Sequence, residues 1–141
     1  MNIKNRHLFL SIFFIPWLLS AHLQDVKIPH CIGQYFKLNR GGPELVSVDV
    51  FEHPELGHTL KIKIMGRRTQ SGSDLAYAFT AAAAVANMSE ENFDLLWVEM
   101  GINFREVEII NAIADANCII NAIILENYKA EKWWKDCIQI L

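Results

Sequence analysis

From Pro43 onward the side chains alternate in character. In ELVSVDVFE, Val46, Val48 and Val50 fall on one side and Ser47 and Asp49 on the other; in TLKIKI, Leu60, Ile62 and Ile64 alternate with Lys61 and Lys63. Period-two alternation marks a strand with one buried and one wet face, so two strands are predicted. The joining HPELGH is short and carries proline and glycine, which predicts an antiparallel hairpin. Lys61 and Lys63 then share the wet face with Asp49.

The period changes in RTQSGSDLAYAFTAAAAVANM. Leu75, Ala78, Phe79, Ala82, Val85 and Ala86 recur at helical spacing, with Ser73 as the expected cap and Asp74 complementing the positive end of the helix. A turn through Ser89, Glu90, Glu91 and Asn92 follows. The chain then returns to alternation in DLLWVEMGINF, where Leu96, Val98, Met100, Ile102 and Phe104 share one face and Trp97, Glu99, Gly101 and Asn103 the other.

The next stretch, REVEIINAIADANCIINAIILEN, reads as one long helix. Ile109, Ile113, Ile120 and Ile124 form its apolar stripe, Glu108, Asn111, Asp115 and Glu126 a narrow polar one, and Val107, Ala114, Cys118 and Leu125 a second apolar stripe. A helix apolar around so much of its circumference is buried on two sides. Residues 129–141 read as an amphipathic tail helix, with Lys129, Lys132, Asp136 and Gln139 wet and Ala130, Trp134, Cys137 and Leu141 docked on that second stripe. Two buried tryptophans, each worth about 1.5–3 kcal/mol, offset the marginal stability of so short a helix. The lysines beside the tryptophans also resemble a membrane-surface helix, but Glu131 and Asp136 dilute that charge. Residues 22–43 carry only weak signals: Pro29, Gly33 and the RGGP turn interrupt VKI and QYFKL, so an irregular leading segment with one edge strand is expected.

The predicted order of strand, strand, helix, strand, helix and tail corresponds to an α+β, two-layer sandwich. Its small, mainly antiparallel sheet is a hairpin plus one returning strand, with two to three helices packed on one face. Residues 44–141 form a single α+β domain in this reading.

The first residues change the cellular context. Lys4 and Arg6 precede LFLSIFFIPWLLSA, a positive region followed by a short apolar core, the layout of a signal peptide over residues 1–21. Cleavage is expected after Ala21, and an uncleaved anchor is the alternative. Removing that segment takes the formal charge from −3 to −5, with 11 basic residues against 16 acidic ones. An acidic domain repels phosphate backbones, so nucleic acid is not an expected partner. Secretion or a periplasmic location places Cys31, Cys118 and Cys137 where disulfides persist. The midpoint between Cys118 and Cys137 falls at Asn127 and Tyr128, so an antiparallel helical hairpin turning there brings the two sulfurs to similar heights. Cys118 with Cys137 is therefore the candidate disulfide, with Cys31 as the rival partner for either.

Candidate chemistry is sparse. Glu52, His53, Glu55 and His58 crowd the hairpin connection, and imidazole with carboxylate suits zinc or a general base. The structural alternative is a solvated turn. Asn117 projects near the apolar side of the long helix, with Asn121 on the boundary; a buried amide needs partners, so Asn117 is expected to bond a strand or loop carbonyl, the alternative being that it lines a small pocket. Trp97, Glu99 and Asn103, with Lys61 and Lys63 on the neighbouring strand, form a candidate binding surface on the sheet face away from the helices. No triad spacing and no glycine-rich phosphate loop appears, and no cofactor is implied. The expected function is an exported binding or interaction module whose partner is a protein or small ligand, with membrane contact only through an uncleaved signal segment. The alternative is a small exported hydrolase or metal-dependent enzyme using the His53 and His58 loop.

Overall fold

The computed structural model describes residues 27–90, 92–125 and 132–141. The signal-peptide reading of residues 1–21 and the turn at Asn127 and Tyr128 lie outside the described residues. Five strands form one mixed sheet in chain order: β1 (Glu44–His53), β2 (Gly57–Gly66), β3 (Leu95–Phe104), β4 (Glu106–Asp115) and β5 (Ile138–Ile140). The helices α1 (Ile28–Leu38), α2 (Ser71–Met88), α3 (Ala116–Ile119) and α4 (Lys132–Cys137) complete a small α+β domain.

β1 and β2 pair as the predicted antiparallel hairpin, with Val48 opposite Ile62 and Asp49 opposite Lys61. A bulge between Leu45 and Ser47 breaks the alternation, so Leu45 joins the core face and Val46 is exposed instead. Gly57 closes the turn with φ +85°, a conformation in which a side chain would collide with the Asp94 carboxylate. That carboxylate accepts the His58 N–H at 2.9 Å and thereby ties the turn to the start of β3.

α2 spans the crossover that makes β3 parallel to β2. Its start differs from the expectation: the helix begins at Ser71, so Ser73 lies inside its first turn and no side chain caps it. The buried Asp74 turns back to Arg67, accepting the backbone N–H at 2.8 Å, Nε at 3.3 Å and the terminal guanidinium nitrogen at 2.6 Å. These bonds hold the end of β2 against the first turn of the helix. The predicted stripe Leu75, Ala78, Phe79, Ala82, Val85 and Ala86 is buried, and the small alanines let α2 lie close to Leu60, Ile62, Leu96 and Val98.

The predicted long helix does not form. Arg105 takes φ 55°, a left-handed conformation uncommon for a side-chain-bearing residue, and reverses the chain so that β4 pairs antiparallel with β3 from Phe104 opposite Glu106 to Leu95 opposite Asp115. Val107, Ile109, Ile110 and Ile113 are β-branched, which suits a pleated strand. Ile110, Ala112 and Ala114 pack toward the helices. Only after Asp115, whose carboxylate accepts the Cys118 N–H at 2.9 Å, does the chain turn helical, first in α3 and then in a wider π-type turn over Ile120–Ile124. Phe104, expected in the core, is half exposed beneath the Arg68 guanidinium 4.0 Å from its ring.

The leading segment is also corrected, because residues 28–38 form a helix rather than irregular chain with an edge strand. Pro29 sits in the first turn, where its missing N–H is not needed. Gly33 weakens a helix interior by about 1 kcal/mol, less than the 1.5–3 kcal/mol that each of the buried Ile28, Ile32 and Phe36 contributes. Tyr77 clasps α1 to α2 by donating to the Tyr35 carbonyl at 2.6 Å and meeting the Phe36 ring edge-on at 5.3 Å.

The tail divides in two. α4 places Trp133 and Trp134 partly buried against the core, their rings edge-to-face at 5.6 Å, and β5 then pairs with residues 112–114 of β4. Leu141 is consequently exposed rather than docked. Cys118 and Cys137 form a disulfide with Cα atoms 5.6 Å apart, and Cys31 is free. No helix among the described residues is long and apolar enough to cross a membrane.

Candidate functional site

The pleat sets which side chains meet on the face away from the helices. Lys61 stands between Asp49 and Trp97, and Lys63 pairs with Glu99, which in turn pairs with Asn111 of β4. These neighbours are joined through their side chains. Glu99 receives Lys61 at 3.2 Å on one oxygen and Lys63 at 3.5 Å on the other. The Lys61 ammonium also lies 4.3 Å from the centre of the Trp97 ring. The indole N–H donates to the Asn111 side-chain carbonyl at 2.9 Å.

Each contact is individually small, about 0.2–1 kcal/mol for a partly exposed ion pair and about 0.5–1 kcal/mol for an exposed cation–π contact. Together they lock five side chains from three strands into one arrangement. The sheet holds the Cβ positions, and the contacts hold the rotamers. A ligand meeting this surface finds a preset indole edge, two ammonium groups and a shared carboxylate, so little side-chain entropy is lost on binding.

Of the five predicted surface residues, Trp97, Glu99, Lys61 and Lys63 converge. Asn103 is exposed further along β3 opposite Val107, apart from that lattice. Asn111 belongs to the site although the sequence reading set it on the polar stripe of a helix. The signal that would have found it is the spacing of β4 itself, which as a strand puts Asn111 directly beside Glu99. The same face continues into an apolar strip. Val107 and Ile109 are 62% and 59% exposed, and Gly101, with no side chain, lets the Met65 thioether pack over it, where a Cβ would come within 2.9 Å of the sulfur.

The histidine loop is organised differently. His53 accepts the Glu55 and Leu56 N–H groups through Nδ1, at 3.2 and 3.1 Å, so its lone pair is engaged in shaping the turn. His58 is buried, stacked on Phe93 with ring centres 4.5 Å apart, and its Nδ1 lies 2.7 Å from a Glu52 oxygen. Among the described residues, no three His, Cys, Asp or Glu side chains gather in a way that would hold a metal ion. Glu55 instead lines a shallow concavity of about 460 Å³ at the rim of the sheet, with Asp94, Asp115 and Gln139. Two of its carboxylates are engaged by backbone N–H groups, Asp94 with His58 and Asp115 with Cys118.

Asn117 and Asn121 are both exposed, because the segment carrying them is a short helix with one buried side. Neither amide is buried. Comparison with known proteins adds no relative: no family model, curated protein or solved structure matches the chain.

Proposed function

We propose that the protein is an exported interaction module, secreted or periplasmic, that binds its partner through the sheet face opposite the helices, with Trp97, Glu99, Lys61 and Lys63 at the centre of the contact and Asn103 on its margin. The observation that carries this reading is the cross-strand lattice: five side chains from three strands, held in one arrangement on the sheet face away from the helices. Preset aromatic and charged groups beside exposed apolar side chains form a mixed surface of the kind that protein interfaces use. The disulfide supports export, since such bonds persist in oxidising compartments, and the apolar run after Lys4 and Arg6 supplies the signal.

A photo-crosslinking side chain placed at Asn103 tests the reading, with the same group at the exposed Gln34 of α1 as control. In the cells that make the protein, adducts should form from position 103 and not from position 34, and Trp97→Ala in the same background should remove them. Adducts of equal yield from both positions, or adducts indifferent to Trp97→Ala, refute the assignment.

A further inference from the structure

The two edges of the sheet are finished differently. β1 carries a bulge at Leu45 and Ser47, a device that twists an edge away from further pairing. β4 is covered by β5 only over residues 112–114, and the Leu141 N–H reaches the Asn111 carbonyl at 2.9 Å. Backbone groups of alternate residues point to the same side of a strand. Since Asn111 faces the β5 side, the N–H and C=O groups of Ile109 and Val107 face it too. On this side of β4, away from β3, no strand among the described residues pairs over residues 106–110.

The side chains along this open ladder are sorted by face. Val107 and Ile109 stand on the open sheet face, both largely exposed, whereas Glu106 and Glu108 stand on the other, exposed and in no ion pair with a described residue. Charge separates the candidate occupants. A second copy pairing two-fold about residue 107 sets Glu106 against Glu108, and pairing about residue 108 sets Glu108 against itself. Like charges directly opposite destabilise a pair. A two-fold pairing about residue 109 needs the backbone of Asn111, already bonded to Leu141.

The geometry points to β4 as an acceptor for an added strand: an extended segment of another protein in which apolar residues alternate with lysine or arginine. Its apolar side chains cover Val107 and Ile109, its basic ones meet Glu106 and Glu108, and its backbone completes the ladder. This is strand addition, in which main-chain bonds supply affinity and alternate side chains supply specificity. The arginines over Phe104, Arg68 and Arg105, at 4.0 and 5.7 Å from its ring, end the acidic row, so the basic position opposite Glu106 is the last.

The test uses the purified protein and a fluorescent peptide of alternating lysine and valine, read by anisotropy, with amide protection at Val107 and Ile109 followed by NMR. The peptide should bind, protect those two amides, and weaken as salt is raised. A glutamate–valine peptide and a scrambled lysine–valine peptide should not bind, and N-methylation of alternate peptide nitrogens should abolish binding. Glu106→Lys with Glu108→Lys should weaken the lysine peptide by about tenfold or more and admit the glutamate one, while Glu44→Lys on the opposite edge strand should leave both unchanged. Equal binding of the scrambled or N-methylated peptide, protection elsewhere, or indifference to the charge reversal overturns the proposal. So does a dimer at neutral pH that the peptide dissociates, which would assign the edge to a second copy.

Discussion

Removing the Cys118–Cys137 bridge gives the most direct quantitative check on the structure. The two residues are 19 apart in sequence, and the chain-entropy expression for closing a loop of that length gives about 3 kcal/mol of stabilisation at 25 °C. The bridge ties α3 to the residue immediately before β5, so its loss also releases the strand that covers residues 112–114 of β4. Cys118→Ala with Cys137→Ala, or reduction of the native protein, should lower the unfolding free energy in urea by about 3 kcal/mol and the thermal midpoint by about 10 °C. Alkylation of the unfolded, unreduced protein should label one thiol, and alkylation after reduction three, because Cys31 is free. Cys31→Ala should leave the effect of reductant intact. Three thiols labelled without reductant, or unfolding midpoints that coincide with and without it, would refute the reasoning.

Two further predictions concern the joints between elements. Asp74→Ala should cost about 1–3 kcal/mol in urea unfolding, because it strands the Arg67 backbone N–H while the half-exposed guanidinium returns to water; Arg67→Ala should cost more, since it leaves the buried Asp74 carboxylate without its cation, and the reverse order would refute that account. Burial raises the Tyr77 phenol above its ordinary value, so in the unfolded chain the proton leaves first: the stability this provides is complete below about pH 10 and is lost as pH rises through the folded value. Tyr77→Phe should cost about 1 kcal/mol at neutral pH for the lost bond to Tyr35 and should flatten the alkaline decline, whereas parallel curves for the two proteins would refute it.

The hairpin, α2 and β3 were legible because each shows one period without competition: Lys61 and Lys63 between Leu60, Ile62 and Ile64 have no helical reading, and Leu75 to Ala86 have no alternating one. α1 was hidden by Pro29 and Gly33, which read as interruptions until the burial of Ile28, Ile32 and Phe36 is seen to outweigh them. The cysteine pairing emerged from a helical hairpin that does not exist. Cys118 sits instead in α3 and Cys137 at the end of α4, and the pairing holds because β4 and β5 bring those two points together. At the site, the three residues on β3 and the two on β2 were legible as one wet face. Asn111 was not, because its neighbours were assigned to the wrong element.

That misassignment and the free surface have one origin. A strand with one wet face alternates, and β4 does not: Ile110, Ala112 and Ala114 point to the helices while Val107, Ile109 and Ile113 point the other way. Strands apolar on both faces are those buried on both faces, yet here the second face has no cover among the described residues and Val107 and Ile109 are more than half exposed. Fully burying each would contribute about 1.5–3 kcal/mol, a gain the fold alone leaves unrealised and a bound strand or an apposed surface would collect. The glutamates at 106 and 108 fit the same logic, since they oppose pairing of two copies through this edge while favouring a basic partner. On the proposed strand addition, the lost alternation that makes residues 105–127 read as a helix is the sequence trace of that interface, written as apolar residues in excess of what the core holds.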